Sequence, residues 1–226
     1  MLINFILAIL ICAVISYLMG SCNSAIITVK LMKGKDIRDF GSGNAGLTNT
    51  LRCFGKLPAL FTLLGDLLKG IVAVLICRLI CSLMGVGLGP ANDVHFIGYI
   101  AGLAAVLGHI FPIYYRFKGG KGVLVGVSVF VVIDPILFGI LILIFAVILT
   151  LSKYVSLSSI IATACCPPAT FLLHYFLNEQ SAKLSLLYTV LVLPICFIVI
   201  FMHKSNIQRL KNGNENRFSF GGKKEE

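Results

Sequence analysis

Long apolar runs separated by short polar segments dominate this chain. Runs near 2–19, 58–84, 94–115, 122–133, 135–151, 155–177 and 184–203 predict helices. Crossing a hydrocarbon layer of ~30 Å takes ~20 helical residues, so most of these runs are long enough to span a membrane. The stretch 122–151 is broken by Asp134 and Pro135 and reads as one long kinked helix or as two helices with a tight turn. In the second case, 122–133 rises only ~18 Å and needs an earlier start or a thinner bilayer to cross.

Charge distribution separates the two readings. Lys and Arg number six in 30–56, three in 116–121, one at 153 and six in 204–224, whereas 85–93, 134–135 and 178–183 contain only Lys183. With seven spans every basic loop falls on one face, as the positive-inside rule requires. A single long helix would put Lys118 and Lys121 across the membrane from Lys153. The expected fold is therefore an all-α integral membrane protein, a seven-transmembrane-helix bundle with the N-terminus outside and the C-terminus cytoplasmic. One polytopic domain is expected over 1–211, followed by a mobile polar tail over 212–226.

Composition agrees with that class. The chain has 226 residues, 58% of them hydrophobic and 12% charged, with a mean hydropathy of +0.98, against ~25% charged in a soluble domain. Its net charge of +10 is explained by loop bias and anionic partners rather than by nucleic acid. The eight cysteines lie mostly in apolar runs without paired CxxC spacing, so neither a zinc site nor a disulfide scaffold is indicated. The run from Leu2 to Met19 lacks a basic flank and a small-residue cleavage site and reads as a retained first helix. No internal repeat is visible.

Polar groups near lipid mark function, and here they collect on the basic face. The segment 33–52 contains Gly41, Gly43 and Gly46 in GxGxxG spacing, but no strand precedes them and the dinucleotide-fold reading fails. Glycines still let backbone amides approach an anion. Ser42, Asn44, Thr48 and Asn49 add donors, and Arg52 offers a bidentate fork; a flexible connector is the competing reading. In 108–123, Lys118 and Lys121 flank Gly119 and Gly120, a pattern suited to a second phosphate or an oxyanion. His109 reads as a packed interfacial histidine or a ligand-binding one, and Arg116, Lys118 and Lys121 also suit surface anchoring. Ser156 and Ser158 are candidate donors unless they merely bond helix carbonyls. His203, Asn206 and Arg209 share one helix face. Asp66 and Lys69, three residues apart, form an ion pair or take a catalytic role. A His followed five positions later by Asp, common in CoA-dependent acyltransferases, is absent.

Four segments, GSGNAGLTNTLR, GHIFPIYYRFKGGKGV, VSLSSI and HKSNIQRLKNGNE, lie in this order between apolar spans. Together they resemble the bacterial glycerol-3-phosphate acyltransferase that uses acyl phosphate, the PlsY family, over most of 20–215. Three sites depart from the usual pattern: Asn23 in place of Pro, Leu47 in place of Ala, and Leu124 with Val125 in place of Ala-Thr. The resemblance implies transfer of a long acyl chain from acyl phosphate to the 1-hydroxyl of glycerol 3-phosphate, giving lysophosphatidate and inorganic phosphate without metal, CoA or carrier protein. It implies a cytoplasm-facing site in a bacterial inner membrane, in contact with membrane lipid. It also implies that Ser42, Arg52, Lys121, His203 and Asn206 surround the reacting groups. Gly43, Asn44, Thr48, Asn49, His109, Lys118, Gly119, Gly120, Ser156, Arg209 and Glu215 would bind substrate. Two proton routes stay open, the substrate's own phosphate and His203 as general base. An organic-phosphate transporter and a noncatalytic scaffold are the rival classes; polar motifs on one face and the lack of related halves weigh against the first.

Overall fold

The computed structural model describes residues 2–86 and 94–218. Most of the basic-poor loop 85–93 and the tail beyond 218 lie outside them. Ten α-helices are present among the described residues: α1 Leu2–Ser21, α2 Ser24–Lys33, α3 Leu47–Phe54, α4 Lys56–Leu83, α5 Val94–Ile110, α6 Val123–Ile133, α7 Pro135–Ser152, α8 Val155–Leu172, α9 Ala182–Phe201 and α10 Lys204–Lys211.

Every predicted apolar run is a helix. Six are long and apolar enough to cross a membrane, counting α1 with α2 as one 32-residue stretch and α8 with its five-residue π-helical extension. The remaining predicted span, α6, has 11 residues, ~16 Å at 1.5 Å each, the short helix expected of 122–133. The break at Asp134 is real. Its carboxylate accepts a hydrogen bond from the Leu137 N–H at 3.2 Å, and Pro135 takes the first helical position, where no N–H is needed.

The segment between the first two predicted spans, read from sequence as loop, holds α2 and α3. Asn23 caps α2 through the Ile26 N–H, and Gly34 ends it in the left-handed conformation. The Asn23 amide also donates to the Ala45 carbonyl at 3.2 Å.

Helix α5 is the hub. It packs on α1, α4, α6 and α9, and 67% of its apolar window is buried against 11% for α7. Small residues permit this: a Cβ on Gly20 of α1 would overlap the Ala105 carbonyl of α5, and one on Gly108 would overlap the Tyr17 carbonyl. Val125, at one of the departing positions, is fully buried with Ala73, Val106 and Ile195, so an apolar residue there serves packing.

Part of the tail, 212–218, makes contacts with the bundle. Glu215 bonds Asn206 and Arg209, and the Phe218 N–H donates to the Lys153 carbonyl at 2.7 Å.

Candidate active site

The polar segments between α2 and α3, between α5 and α6, at the start of α8 and around α10 meet at one end of the bundle. Each junction is a specific contact.

The first segment is organised by Asn49. Its carboxamide is 2% exposed; the oxygen accepts from the Ser42 N–H at 3.0 Å and the amide donates to the Phe40 carbonyl at 2.9 Å. Asn49, expected as a substrate donor, spends its hydrogen bonds on the loop itself. This leaves Ser42 and Gly43 exposed and Asn44 half-buried on the loop's outer side, with Thr48 half-buried in the first turn of α3 and Arg52 exposed in its last.

Arg38, not singled out from sequence, ties this loop to the next. Its guanidinium pairs with Asp36 at 2.7 Å and donates to the Tyr115 carbonyl at 2.9 Å. The hydrogen bond from Arg38 holds the Asp36 carboxyl below its ordinary value. An Asp two residues before an Arg is too common a sequence pattern to have revealed the role.

In the second segment the Gly119 and Gly120 N–H groups donate to the Ile110 and His109 carbonyls, both at 3.1 Å. Their amides are therefore committed to the loop turn, not to an anion. A Cβ on Gly119 would overlap the His109 carbonyl, and one on Gly120 would overlap the His109 ring and lie 2.6 Å from the Ala45 carbonyl. Glycine is required at 119 because the loop turns back on the end of α5, and at 120 because the two loops meet there. Lys118 is exposed.

His109 lies beneath this contact. It is 3% exposed, 2.8 Å from Lys69 Nζ through Nδ1 and 3.6 Å from Asp66. Lys69 and Asp66 form the anticipated ion pair at 2.9 Å, and Lys69 also donates to the Cys22 carbonyl at 3.3 Å. The triad supports the loops from below.

The remaining groups form one chain of contacts. Lys121 Nζ donates to Asn206 Oδ1; Asn206 Nδ2 donates to Glu215 Oε1 at 2.9 Å, and Arg209 Nε donates to Glu215 Oε2 at 2.9 Å. Burial lowers the Lys121 pKa to about 8; Glu215 opposes the shift, while Arg209 and Arg52 add to it. Arg52 therefore lies within electrostatic reach of Lys121. His203 is 2% exposed and its Nδ1 sits 2.7 Å from the Val199 carbonyl, which must be a donated bond. Nε2 then carries the lone pair. Burial lowers the His203 pKa to about 4, with Lys121 contributing, so the ring is neutral at pH 7.

Ser156 is 6% exposed and its Oγ has no hydrogen-bond partner, whereas Ser158 and Ser159 bond helix carbonyls at 2.8 and 2.9 Å. A buried, unpaired hydroxyl costs free energy unless something completes it. The start of α8 therefore offers one unsatisfied polar group beside the contacts of α10.

Such an arrangement holds fixed cations, a neutral imidazole and free hydroxyls at the end of an apolar bundle. It can orient phosphorylated substrates whose tails remain in lipid.

Comparison with known proteins agrees with this reading. Residues 10–213 match the family described as glycerol-3-phosphate acyltransferase. The chain is 37% identical over 216 residues to the glycerol-3-phosphate acyltransferase of Clostridioides difficile (strain 630), covering 96% of this chain and 97% of that one. It is 39% identical over 213 residues to that of Enterococcus faecalis (strain ATCC 700802 / V583), covering 94% and 93%. Its fold resembles the crystal structure of PlsY (YgiH), an integral membrane glycerol 3-phosphate acyltransferase, in its glycerol 3-phosphate form. There the TM-score is 0.74 and identity 32%, with 93% of this chain and 96% of that chain covered. The lysophosphatidic acid form gives 0.69 and 30%, over 94% and 96%.

Proposed function

The chain belongs to the glycerol-3-phosphate acyltransferase family of integral membrane enzymes, and from that premise we propose that it transfers a long acyl chain from acyl phosphate to the 1-hydroxyl of glycerol 3-phosphate. The products are lysophosphatidate and inorganic phosphate, and the site faces the cytoplasm from a bacterial inner membrane. The observation that carries this reading is the linked set Lys121, Asn206, Arg209 and Glu215, with His203 beside it and Ser156 on α8, which packs on α10. These are groups for two phosphates and one carbonyl, and none forms the His and Asp pairing of CoA-dependent enzymes.

Acyl phosphate is a mixed anhydride. The glycerol phosphate hydroxyl attacks the acyl carbon, charge collects on the carbonyl oxygen, and the bond from acyl carbon to phosphate oxygen breaks to release phosphate. Arg52 and Lys121 orient the two phosphoryl groups, and Ser42 and Ser156 donate to phosphate or oxyanion oxygens. The proton goes to the glycerol phosphate's own phosphate. Burial lowers the His203 pKa to about 4, which makes the ring a poor proton acceptor beside a phosphate monoester, whose second pKa is ~6. His203 Nε2 acts as a hydrogen-bond acceptor that orients the attacking hydroxyl.

Two observations support the seven-span topology. Asp134 at the end of α6 lies 3.3 Å from His174, 19 residues beyond the start of α8 at Val155. That places the α6–α7 turn at the level of the far end of α8, away from Lys121 and Lys153. Basic loops and the acyltransfer groups then share one face.

The deciding experiment supplies purified protein with glycerol 3-phosphate and either acyl phosphate or acyl-CoA, and follows lysophosphatidate and phosphate release. Product from acyl phosphate alone is expected. Equal use of acyl-CoA would overturn the donor assignment.

A further inference from the structure

A second polar cluster lies at the other end of the bundle, where the acyltransfer reaction has no use for it. His95 stands in the first turn of α5, Asp134 at the junction of α6 and α7, and His174 in the π-helical turn Leu173–Leu177 that extends α8. One ligating atom from each lies within 4.8 Å of the other two. On α5, His95 precedes His109 by 14 residues, ~21 Å of helix, so this cluster is separate from the anion site.

We propose that His95, Asp134 and His174 bind a divalent transition-metal ion of the zinc type. Asp134 Oδ2 and His174 Nε2 are both buried and 3.3 Å apart, close enough for an ion pair but outside good hydrogen-bond geometry. Either a proton on the ring or a cation beside both atoms offsets the cost of burying the carboxylate, and a third donor within 4.8 Å favours the cation. Ligands at ~2.0–2.1 Å around a tetrahedral ion are ~3.3–3.4 Å from one another, which is already the spacing of this pair. Bringing in the His95 nitrogen needs at most ~1.5 Å of movement, within the rotation of a half-buried ring.

The surroundings orient the donors. Asp134 Oδ1 is held by the Leu137 N–H, which directs Oδ2 at the cluster. Asn178 Nδ2 lies 3.3 Å from His174 Nδ1; turning the amide over brings its oxygen to the ring, where it accepts Nδ1–H and frees Nε2 for metal. Both imidazoles pack on Tyr188, with centroids at 5.1 and 4.6 Å. Partial exposure of His95 supplies the entry path; a water would serve as the fourth ligand. Two imidazoles and one carboxylate favour Zn2+ or Co2+ over Ca2+ and Mg2+, which prefer all-oxygen cages.

The test uses the full-length protein in detergent, stripped with chelator and titrated with Co2+ and Zn2+. One Co2+ per chain is expected, with ligand-field absorption of a nitrogen and oxygen site, no thiolate charge-transfer band, and displacement by Zn2+. His95→Asn should weaken binding at least tenfold and abolish the Zn2+-induced rise in Tm. Asp134→Asn keeps the capping oxygen and should weaken binding similarly. Failure of the wild-type protein to bind Co2+, a thiolate band, or unchanged affinity in both variants overturns the proposal; the first outcome needs no variant to fold.

Discussion

Lys121 Nζ donates to Asn206 Oδ1, joining the loop before α6 to α10 across 85 residues of sequence. Through Asn206 the contact continues to Glu215 and Arg209. A cation, an amide, a carboxylate and a guanidinium thereby hold one another in place, and the chemistry of each depends on the rest.

Lys121 titrates at about 8 in the free protein because it is buried among Arg209 and Arg52. Its charge is present below that pH and lost above it. The value of kcat/KM for glycerol 3-phosphate should therefore fall about tenfold per pH unit above ~8. Lys121→Arg, with a cation that does not titrate in this range, should remove that alkaline limb while lowering turnover. An unchanged limb in Lys121→Arg would assign it to another group.

Arg52 is exposed in the last turn of α3, so its removal should leave the fold intact. Arg52→Ala is expected to lose at least 100-fold in kcat/KM with an unchanged Tm. Arg52→Lys should also lose substantially, since an ammonium cannot make the bidentate contact. Near-normal turnover by purified Arg52→Ala would remove it from the phosphate clamp.

Glu215 was expected to touch substrate, yet its side chain is 7% exposed and both oxygens are used on Asn206 and Arg209. We propose that it positions Asn206 and Arg209 rather than touching substrate. Glu215→Gln keeps one hydrogen-bonding geometry and should retain more activity than Glu215→Ala, which should lose ~10–100-fold, mostly in kcat. Equal, full activity in both would show the tail contact to be incidental.

Ser156 carries the buried hydroxyl without a partner. Ser156→Ala should leave thermal stability unchanged or raised, because an unsatisfied polar atom is removed. Turnover should fall by ~10-fold if that hydroxyl donates to substrate. A loss of stability with full activity would assign Ser156 to packing.

Gly119→Ala and Gly120→Ala place a methyl against the His109 backbone and ring. Overpacking of this kind costs ~1–3 kcal/mol. Both variants should unfold at lower temperature in detergent, and both should raise KM, since the loop carrying Lys121 must move away from the His109 and Ile110 carbonyls in Gly119→Ala and from Ala45 in Gly120→Ala. Wild-type Tm would mean that the loops separate readily.

What the chain declares locally is the helical bundle and its polar end. Apolar runs specify helices because a backbone in lipid must satisfy its own hydrogen bonds. Asp134 followed by Pro135 specifies a break because capping and ring geometry act within one turn. The caps of α2, Asn23 and Gly34 with Lys30 and Lys33 in the last turn, follow the same local rule. The four polar motifs were visible as residues out of place near an apolar phase.

Direction and partnership were decided only by packing. Asn49 turning inward to hold its own loop, Arg38 reaching Tyr115, and Glu215 folding back on α10 depend on how helices far apart in sequence lean together. Cysteine and histidine spacing pointed away from any metal cluster, because His95, Asp134 and His174 are separated by 39 and 40 residues and meet only where three helix ends converge. A sequence records local hydrogen-bonding and burial preferences over a few residues. The angles at which α5, α6 and α8 cross follow from the summed shape of all their neighbours.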